Sequence, residues 1–217
     1  MRIASMAVAA LAFVTYCGAA ELSVAGTRFM MDGKPFPYTG ISFFNAVHNQ
    51  AFNKSAEDRR QWMKKFARYG INVLRVWGQW DNKRGFVDTC PECTLYQPSG
   101  ELRPGPLDQL KAICADADAL GMAVELAMFS QESWHDGVKL SPEAADRAVA
   151  AVTRELQPYR NVILQVWNEF DERALDHVKA IKAIDPKRLV TNSPGVAGVL
   201  VGMRGEMEAL DFLSPHT

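Results

Sequence analysis

Short apolar segments, typical of buried strands, alternate with longer amphipathic segments along most of this sequence. This alternation, without a composition break or low-complexity linker, predicts one domain with a parallel sheet and helices outside it. Six such strands are predicted, at residues 38–44, 71–77, 122–128, 162–166, 188–191 and 211–214. A closed TIM-type (β/α)8 barrel has eight strands, typically in about 250 residues. We therefore expect an incomplete α/β barrel of about six βα units.

Capping residues mark the predicted helix boundaries. Ser55 is followed by Asp58, an approximate capping box, and this helix is expected to stop at Gly70. Ser141 is followed by a proline and a glutamate, the usual order at a helix start. The stripe expected to face the core from the first helix consists of Trp62, Phe66 and Tyr69. Residues 29–36 predict a hairpin with its turn at residues 32–33. No glycine-rich phosphate loop follows the first strand, which argues against a dinucleotide-binding fold.

The N-terminus has the pattern of a secretory signal. Arg2 precedes an apolar run at residues 3–14, and small residues end the segment at Ala20. The alternative is a membrane anchor, but the run is shorter than the roughly 20 residues of a spanning helix. We predict a signal peptide at residues 1–20 and a secreted or periplasmic domain at residues 21–217, with no membrane association after cleavage. The net charge of −1 argues against a nucleic-acid partner.

Three cysteines follow the predicted signal. Cys90 and Cys93 are separated by two residues in a long loop and are predicted to form a disulfide, which export permits. A zinc site would need a second ligand pair at matching spacing, and the sequence has none. Cys114 falls on the apolar face of a predicted helix and is expected to be an inert core residue. We predict no metal and no cofactor.

The fourth predicted strand ends in a polar pair, Asn168 and Glu169. The carboxyl ends of parallel strands are where α/β barrels place their chemistry. The alternative is that the pair only starts the next helix, with Asp171 and Glu172 as acids of its first turn.

Several of these residues together resemble clan A of the glycoside hydrolases, and family 5 cellulases and mannanases in particular. The resemblance rests on Arg75 near the end of the second strand, on the Trp-Asn-Glu run at 167–169, and on His216 at the end of the sixth strand. The hairpin at residues 32–36 and the run at residues 74–78 are similar to mannanase-like members. The resemblance covers the whole mature chain.

The resemblance implies a retaining mechanism on a β-linked polysaccharide or oligosaccharide such as mannan or glucan. Glu169 would be the general acid/base, Asn168 would bind the sugar 2-hydroxyl, and Arg75 would hold the nucleophilic carboxylate ionised. A structural arginine that pairs with a buried carboxylate is the alternative for Arg75. His216 would lie on the substrate side, with a core histidine as the alternative.

Aromatic and polar residues near the strand ends are candidates for sugar binding, because the apolar C–H faces of sugars stack on aromatic rings. The alternative for each tryptophan is a place in the core. The predicted substrate-binding residues besides His216 are Trp77, Trp80, Trp134, Asn45 and His48.

The sequence departs from the family pattern at one position that matters for catalysis. The family nucleophile is a glutamate at the end of the seventh strand, and the predicted strands stop before it; Glu125 falls in mid-strand. We therefore expect the 217-residue chain by itself to be inactive. Two rival hypotheses are a carbohydrate-binding pseudoenzyme and a barrel enzyme that uses Glu169 with a metal. Scattered histidines and a poor amide ligand argue against the metal.

Overall fold

The N-terminal residues form a three-stranded antiparallel sheet. Its strands are β1 (Leu22–Ala25), β2 (Arg28–Met31) and β3 (Lys34–Pro35). Asp32 and Gly33, with φ of 51° and 73°, make the turn between β2 and β3, a conformation that Asp and Gly tolerate better than other residues. The predicted hairpin is therefore present. The computed structural model describes residues 20–81, 90–195 and 204–215.

Five parallel strands form the main sheet, in the order β4-β5-β6-β7-β8 of the sequence. They are β4 (Gly40–Ser42), β5 (Val73–Trp77), β6 (Ala123–Ser130), β7 (Val162–Asn168) and β8 (Leu189–Ser193). The helices are α1 (Ala56–Arg68), α2 (Pro104–Asp118), α3 (Gln131–Asp136), α4 (Pro142–Leu156), α5 (Ala174–Ile184) and α6 (Arg204–Ala209). This is an incomplete α/β barrel, which confirms the predicted fold class.

The capping signals act as predicted. The Ser55 side chain accepts a hydrogen bond from the Asp58 N–H at the start of α1, and Ser141 does the same for Ala144 at the start of α4. Each cap satisfies a backbone donor that the helix leaves unpaired. Gly70, with φ of 78°, follows α1. These local signals determine where α1 and α4 begin, whereas the order of the strands in the sheet depends on tertiary packing.

The two faces of the sheet differ in composition because successive strand residues point to opposite sides. One face packs against the helices through an apolar core that includes Leu74, Val76, Val124, Leu126 and Leu164. On the other face an apolar layer consists of Val73, Ala123, Ile163 and Leu189, covered by Leu22 and Phe36 of the hairpin sheet. Further along the strands, a polar layer consists of Arg75, Glu125 and Gln165. The next layer is apolar and consists of Trp77 and Ala127 with Trp80, which follows β5. A polar layer thus lies between two apolar ones inside the barrel.

The strand predicted at residues 211–214 does not form, so five of the six predicted strands are present among the described residues. Residues 211–214 approach β8 through a side chain: the Asp211 carboxylate accepts from the Val190 N–H at 2.7 Å and from Lys182 Nζ at 2.6 Å. The Asp211 N–H donates to the Val190 carbonyl at 3.0 Å. Because the carboxylate takes the place of a backbone acceptor, a β-ladder does not form there.

Two other local predictions need correction. The helix after β7 starts at Ala174, so Asp171 and Glu172 precede it instead of forming its first turn. Arg173 caps this helix in the left-handed region, with φ of 54°. Trp62 and Tyr69 are 45% and 78% exposed, although both were predicted to face the core.

The remaining sequence predictions concern export and the cysteines. Residues 1–19, which include nearly all of the predicted signal, lie outside the described residues, and so do residues 82–89. Cys90 and Cys93 form a disulfide with a Cα separation of 5.1 Å, and Cys114 is a buried free cysteine. In the part of the chain that the structure describes, no helix is long and apolar enough to cross a membrane.

Candidate active site

The polar pair that ends β7 is held by an unusual backbone conformation. Asn168 is the last residue of β7 and is 2% exposed. Glu169 has φ of 57°, and its N–H donates to the Ser193 carbonyl at the end of β8, at 2.7 Å. Non-glycine residues adopt this region rarely and at a cost, most often at functional sites. The conformation turns the chain sharply where the strand ends and places the Glu169 carboxylate at the carboxyl edge of the sheet.

Arg75 joins β5 to β7 across the inside of the barrel. Its Nη2 donates to Asn168 Oδ1 at 2.7 Å and its Nε donates to Gln165 Oε1 at 2.8 Å. Because a guanidinium can only donate hydrogen bonds, the Asn168 atom that accepts from Arg75 must be the amide oxygen. The amide NH2 then faces away from Arg75, where it can donate to a hydroxyl oxygen. The structure therefore brings together two of the predicted catalytic residues.

Glu125 is a site residue that the sequence analysis did not select. It lies opposite Arg75 in the parallel register of β5 and β6, is 4% exposed, and has Oε1 3.5 Å from Arg75 Nε. The Tyr38 hydroxyl donates to its other oxygen. Burial raises the pKa of the Glu125 carboxyl, and the Tyr38 hydrogen bond and the Arg75 charge oppose that rise. A single glutamate in the otherwise apolar run of β6 was the available signal.

Carboxylates surround Arg75 on several sides. Burial lowers the pKa of its guanidinium, while the negative charges of Glu125, Glu169 and Glu132 act in the opposite direction, Glu125 most strongly. Glu169 is thus within electrostatic reach of Arg75. Glu132 belongs to α3 and is 6% exposed. Arg75 thus supplies the positive charge among the buried Glu125 and Glu132 and the half-buried Glu169.

The three predicted sugar-binding tryptophans are all largely buried. Trp77 and Trp80 are 3% and 6% exposed and pack together, with ring centroids 5.7 Å apart. Trp134 lies in α3, and its ring meets that of Trp167 edge-on, with ring centroids 5.0 Å apart. The Arg75 guanidinium lies 5.8 Å from the centroid of the Trp77 ring. Their roles in sugar binding remain predictions.

Asn45 and His48 lie together in the turn that follows β4. The His48 N–H donates to the Asn45 carbonyl at 2.9 Å. Burial lowers the pKa of the His48 imidazole to about 4, against an opposing hydrogen bond with the Gly78 backbone. The imidazole is therefore neutral at ordinary pH and can act as a hydrogen-bonding group. His216 lies outside the described residues.

The site has acids, an amide and a cation but no metal-ligand grouping. Among residues 20–81, 90–195 and 204–215, no cluster of three or more His, Cys, Asp or Glu could hold a metal ion. What the residues offer is proton transfer by a carboxyl group, hydrogen bonding by an amide, and a fixed positive charge. Fold and site together define the class: an incomplete α/β barrel with its polar site at the carboxyl ends of the strands.

Comparisons with known proteins agree on that class. No protein-family model matches this sequence, and none of the curated proteins compared with it matches. Among solved structures, a glycoside hydrolase family 5 protein from Bacteroides vulgatus ATCC 8482 is 17% identical, with a TM-score of 0.66 over 88% of this chain and 43% of its own. The β-mannanase of the blue mussel Mytilus edulis is 16% identical, with a TM-score of 0.61 over 92% of this chain and 75% of its own. A family 5 mannosidase from Rhizomucor miehei is 16% identical, with a TM-score of 0.62 over 92% of this chain and 62% of its own.

At these identities the similarity establishes the fold. The chain forms part of an α/β barrel of the kind that glycoside hydrolase family 5 proteins have, as the sequence analysis predicted. It spans less than half of the Bacteroides protein that it matches.

Proposed function

We propose that this chain carries the acid/base half of a retaining glycoside hydrolase site that acts on a β-linked polysaccharide or oligosaccharide. The observation that carries the proposal is the hydrogen bond between Arg75 and Asn168, directly beside the left-handed turn at Glu169. It assembles an amide, a carboxyl group and a cation at the carboxyl edge of adjacent barrel strands, where such barrels act.

The proposed chemistry follows from what glycosidic bond cleavage requires. The leaving oxygen must receive a proton while a second carboxylate attacks the anomeric carbon, and water later releases the sugar with the first carboxyl group acting as base. Glu169 is the proposed proton donor and later the base. The Asn168 amide NH2, turned away from Arg75, is the proposed donor to the sugar 2-hydroxyl. Arg75 would stabilise the attacking carboxylate in its ionised form.

The proposed substrate is β-mannan or β-glucan, and the proposed location is outside the cytoplasm. Two of the similar structures are named as a β-mannanase and a mannosidase, and this supports the substrate class. The signal pattern at residues 1–20 supports export. No resident metal or cofactor is part of the proposal.

The test is hydrolysis by the full protein produced from its gene. Aryl β-mannosides, aryl β-glucosides and β-mannan are the substrates, and proton NMR records the anomer that forms first. Glu169→Gln should lower the rate on mannan by roughly 100-fold or more, because general acid catalysis contributes about that much. Aryl glycosides with good leaving groups should lose less. Glu208→Gln, the same substitution on the exposed face of α6, should leave the rate unchanged. Equal rates for wild type and Glu169→Gln would refute the proposal.

A carbohydrate-binding protein without catalysis is the second candidate. Among the described residues, Glu169 is the only carboxylate that directly follows a parallel strand, and this favours binding over a two-carboxylate reaction. The same experiment separates the two. A protein that binds mannohexaose and hydrolyses none of the substrates is the binding protein; a protein that retains the anomeric configuration is the enzyme.

A further inference from the structure

Phe44 is an exposed aromatic ring beside the candidate site. It follows β4 at the carboxyl edge of the sheet and is 36% exposed, whereas the neighbouring Trp77 and Trp80 are 3% and 6% exposed. Large exposed aromatic rings at the mouth of a polar cleft are candidate ligand contacts. Phe44 is thus the member of this aromatic group that can offer ring surface to a ligand.

The Phe44 ring is held in place by its neighbours. It is stacked on Trp80, with ring centroids 5.9 Å apart and planes 5° apart, and it meets Trp77 at 4.8 Å in an edge contact. The Phe44 carbonyl also accepts from the Trp77 N–H at 3.2 Å. A ring packed in this way loses little conformational freedom when a ligand covers it, which favours binding.

Trp80, on which the Phe44 ring stacks, is held in place by a backbone hydrogen bond. The Trp80 N–H donates to the Cys93 carbonyl at 2.6 Å, and Cys93 is bonded to Cys90 in the disulfide. Cys93 also packs against the apolar group that contains both tryptophans. Trp80, on which Phe44 stacks, is therefore hydrogen-bonded to the disulfide-linked segment Cys90–Cys93.

The stack is continuous with the proposed catalytic residues. The Trp77 ring contacts the Phe44 ring, with centroids 4.8 Å apart, and its centroid lies 5.8 Å from the Arg75 guanidinium. Arg75 in turn holds Asn168, next to Glu169. Phe44 is therefore connected to the Asn168–Glu169 pair by consecutive contacts through Trp77 and Arg75.

We propose that Phe44 is a stacking platform for one pyranose ring of an unbranched β-linked hexose oligosaccharide; the proposal rests on the proposed function. The apolar C–H face of such a ring complements an aromatic face, and the sugar hydroxyls at its rim stay in water. Trp77 and Trp80, which are almost fully buried, stabilise the platform by packing against the Phe44 ring.

The test measures the affinity of the full chain for mannohexaose and for cellohexaose by calorimetry, with tryptophan fluorescence as a second readout. Phe44→Ala should weaken binding by about fivefold to tenfold, the scale of one aromatic stacking contact. Phe44→Tyr, which keeps the ring, should bind within about twofold of wild type on the same scale. Tyr69→Ala removes an exposed aromatic ring beyond the end of α1 and should leave the affinity unchanged.

The outcomes separate the platform from the proposed function. If the wild type binds and Phe44→Ala binds equally well, the platform is refuted while the glycoside hydrolase proposal stands. If the wild type binds neither oligosaccharide, both proposals fail. An unfolding curve for Phe44→Ala that matches wild type, together with binding by Phe44→Tyr, assigns the loss of affinity to the ring and not to misfolding.

Discussion

Replacing Arg75 by methionine should destabilise the protein strongly, and more so at neutral than at acidic pH. The substitution keeps a long side chain and removes the cation. It leaves Glu125, 4% exposed, without its partner 3.5 Å away, and it leaves the buried oxygens of Gln165 and Asn168 without a donor. Each of these three consequences lowers the free energy of unfolding.

The magnitude follows from the burial of these groups. Removing one partner of a buried ion pair costs about 3–5 kcal/mol, and leaving a buried acceptor unpaired costs about 1–3 kcal/mol. The effects overlap at one site, so we expect a total of about 3–5 kcal/mol at neutral pH. This is a large share of the roughly 5–15 kcal/mol that stabilises a typical domain.

The pH dependence comes from Glu125. Burial raises the pKa of the Glu125 carboxyl above its ordinary value of 4.5. The contribution of Glu125 to the free energy of unfolding is therefore most favourable below pH 4.5, and it is lost as the pH rises through the folded-state pKa. Loss of Arg75 raises the folded-state pKa further, so the penalty at neutral pH increases. At about pH 4, where Glu125 is protonated in both proteins, only the lost hydrogen bonds of Gln165 and Asn168 remain, about 1–3 kcal/mol.

The assay is denaturant unfolding of wild type, Arg75→Met, Glu125→Gln and the double variant at both pH values. Adding Glu125→Gln to Arg75→Met should recover roughly 1–3 kcal/mol at neutral pH, because it removes the unpaired charge. Arg204→Met breaks only an exposed pair with Glu208 and should leave the unfolding curve unchanged. A loss under about 1 kcal/mol for Arg75→Met, or a double variant no more stable than Arg75→Met, would refute the buried-pair argument.

Two further predictions concern other parts of the chain. Gly100→Ala should destabilise by about 3 kcal/mol or more, because φ is +86° and the added carbon would lie 2.0 Å from the Ala144 carbonyl oxygen. Gly105→Ala, where the added carbon meets open space in α2, should stabilise by up to about 1 kcal/mol; thermal unfolding compares the two, and equal melting temperatures would contradict the clash. Alkylation of denatured, non-reduced protein should label Cys114 and leave the peptide with Cys90 and Cys93 unlabelled; a label on that peptide would contradict the disulfide.

Most of the fold could be predicted because its signals are local. The caps at Ser55 and Ser141 depend on a few neighbouring residues, and both helices start where the caps place them. Each of the five observed parallel strands overlaps an apolar run in the sequence. The strand predicted at residues 211–214 failed because Asp211 binds Val190 and Lys182 through its carboxylate, a contact between distant parts of the chain.

The backbone conformation at the site could not be predicted from the residue types there. Glu169 and Arg173 both have left-handed φ angles, of 57° and 54°, although neither residue type favours that region. A continuous helix after β7 was the simpler prediction from the acids at 171 and 172. Tertiary contacts, such as the hydrogen bond from the Glu169 N–H to Ser193, hold a turn that local preference disfavours.

The buried pair of Arg75 and Glu125 depends on strand register, so residue types along the sequence do not identify it. Arg75 and Glu125 are partners because β5 and β6 align Val73 with Ala123 and Trp77 with Ala127. A shift of one residue would turn the glutamate toward the helix layer and bring Leu126 into the barrel interior. Sequence periodicity shows that a strand alternates, but the register is set when the whole sheet packs. Since Arg75 then bonds to Asn168, the same register that buries Glu125 also orients the amide beside Glu169, and stability and site geometry depend on the same arginine.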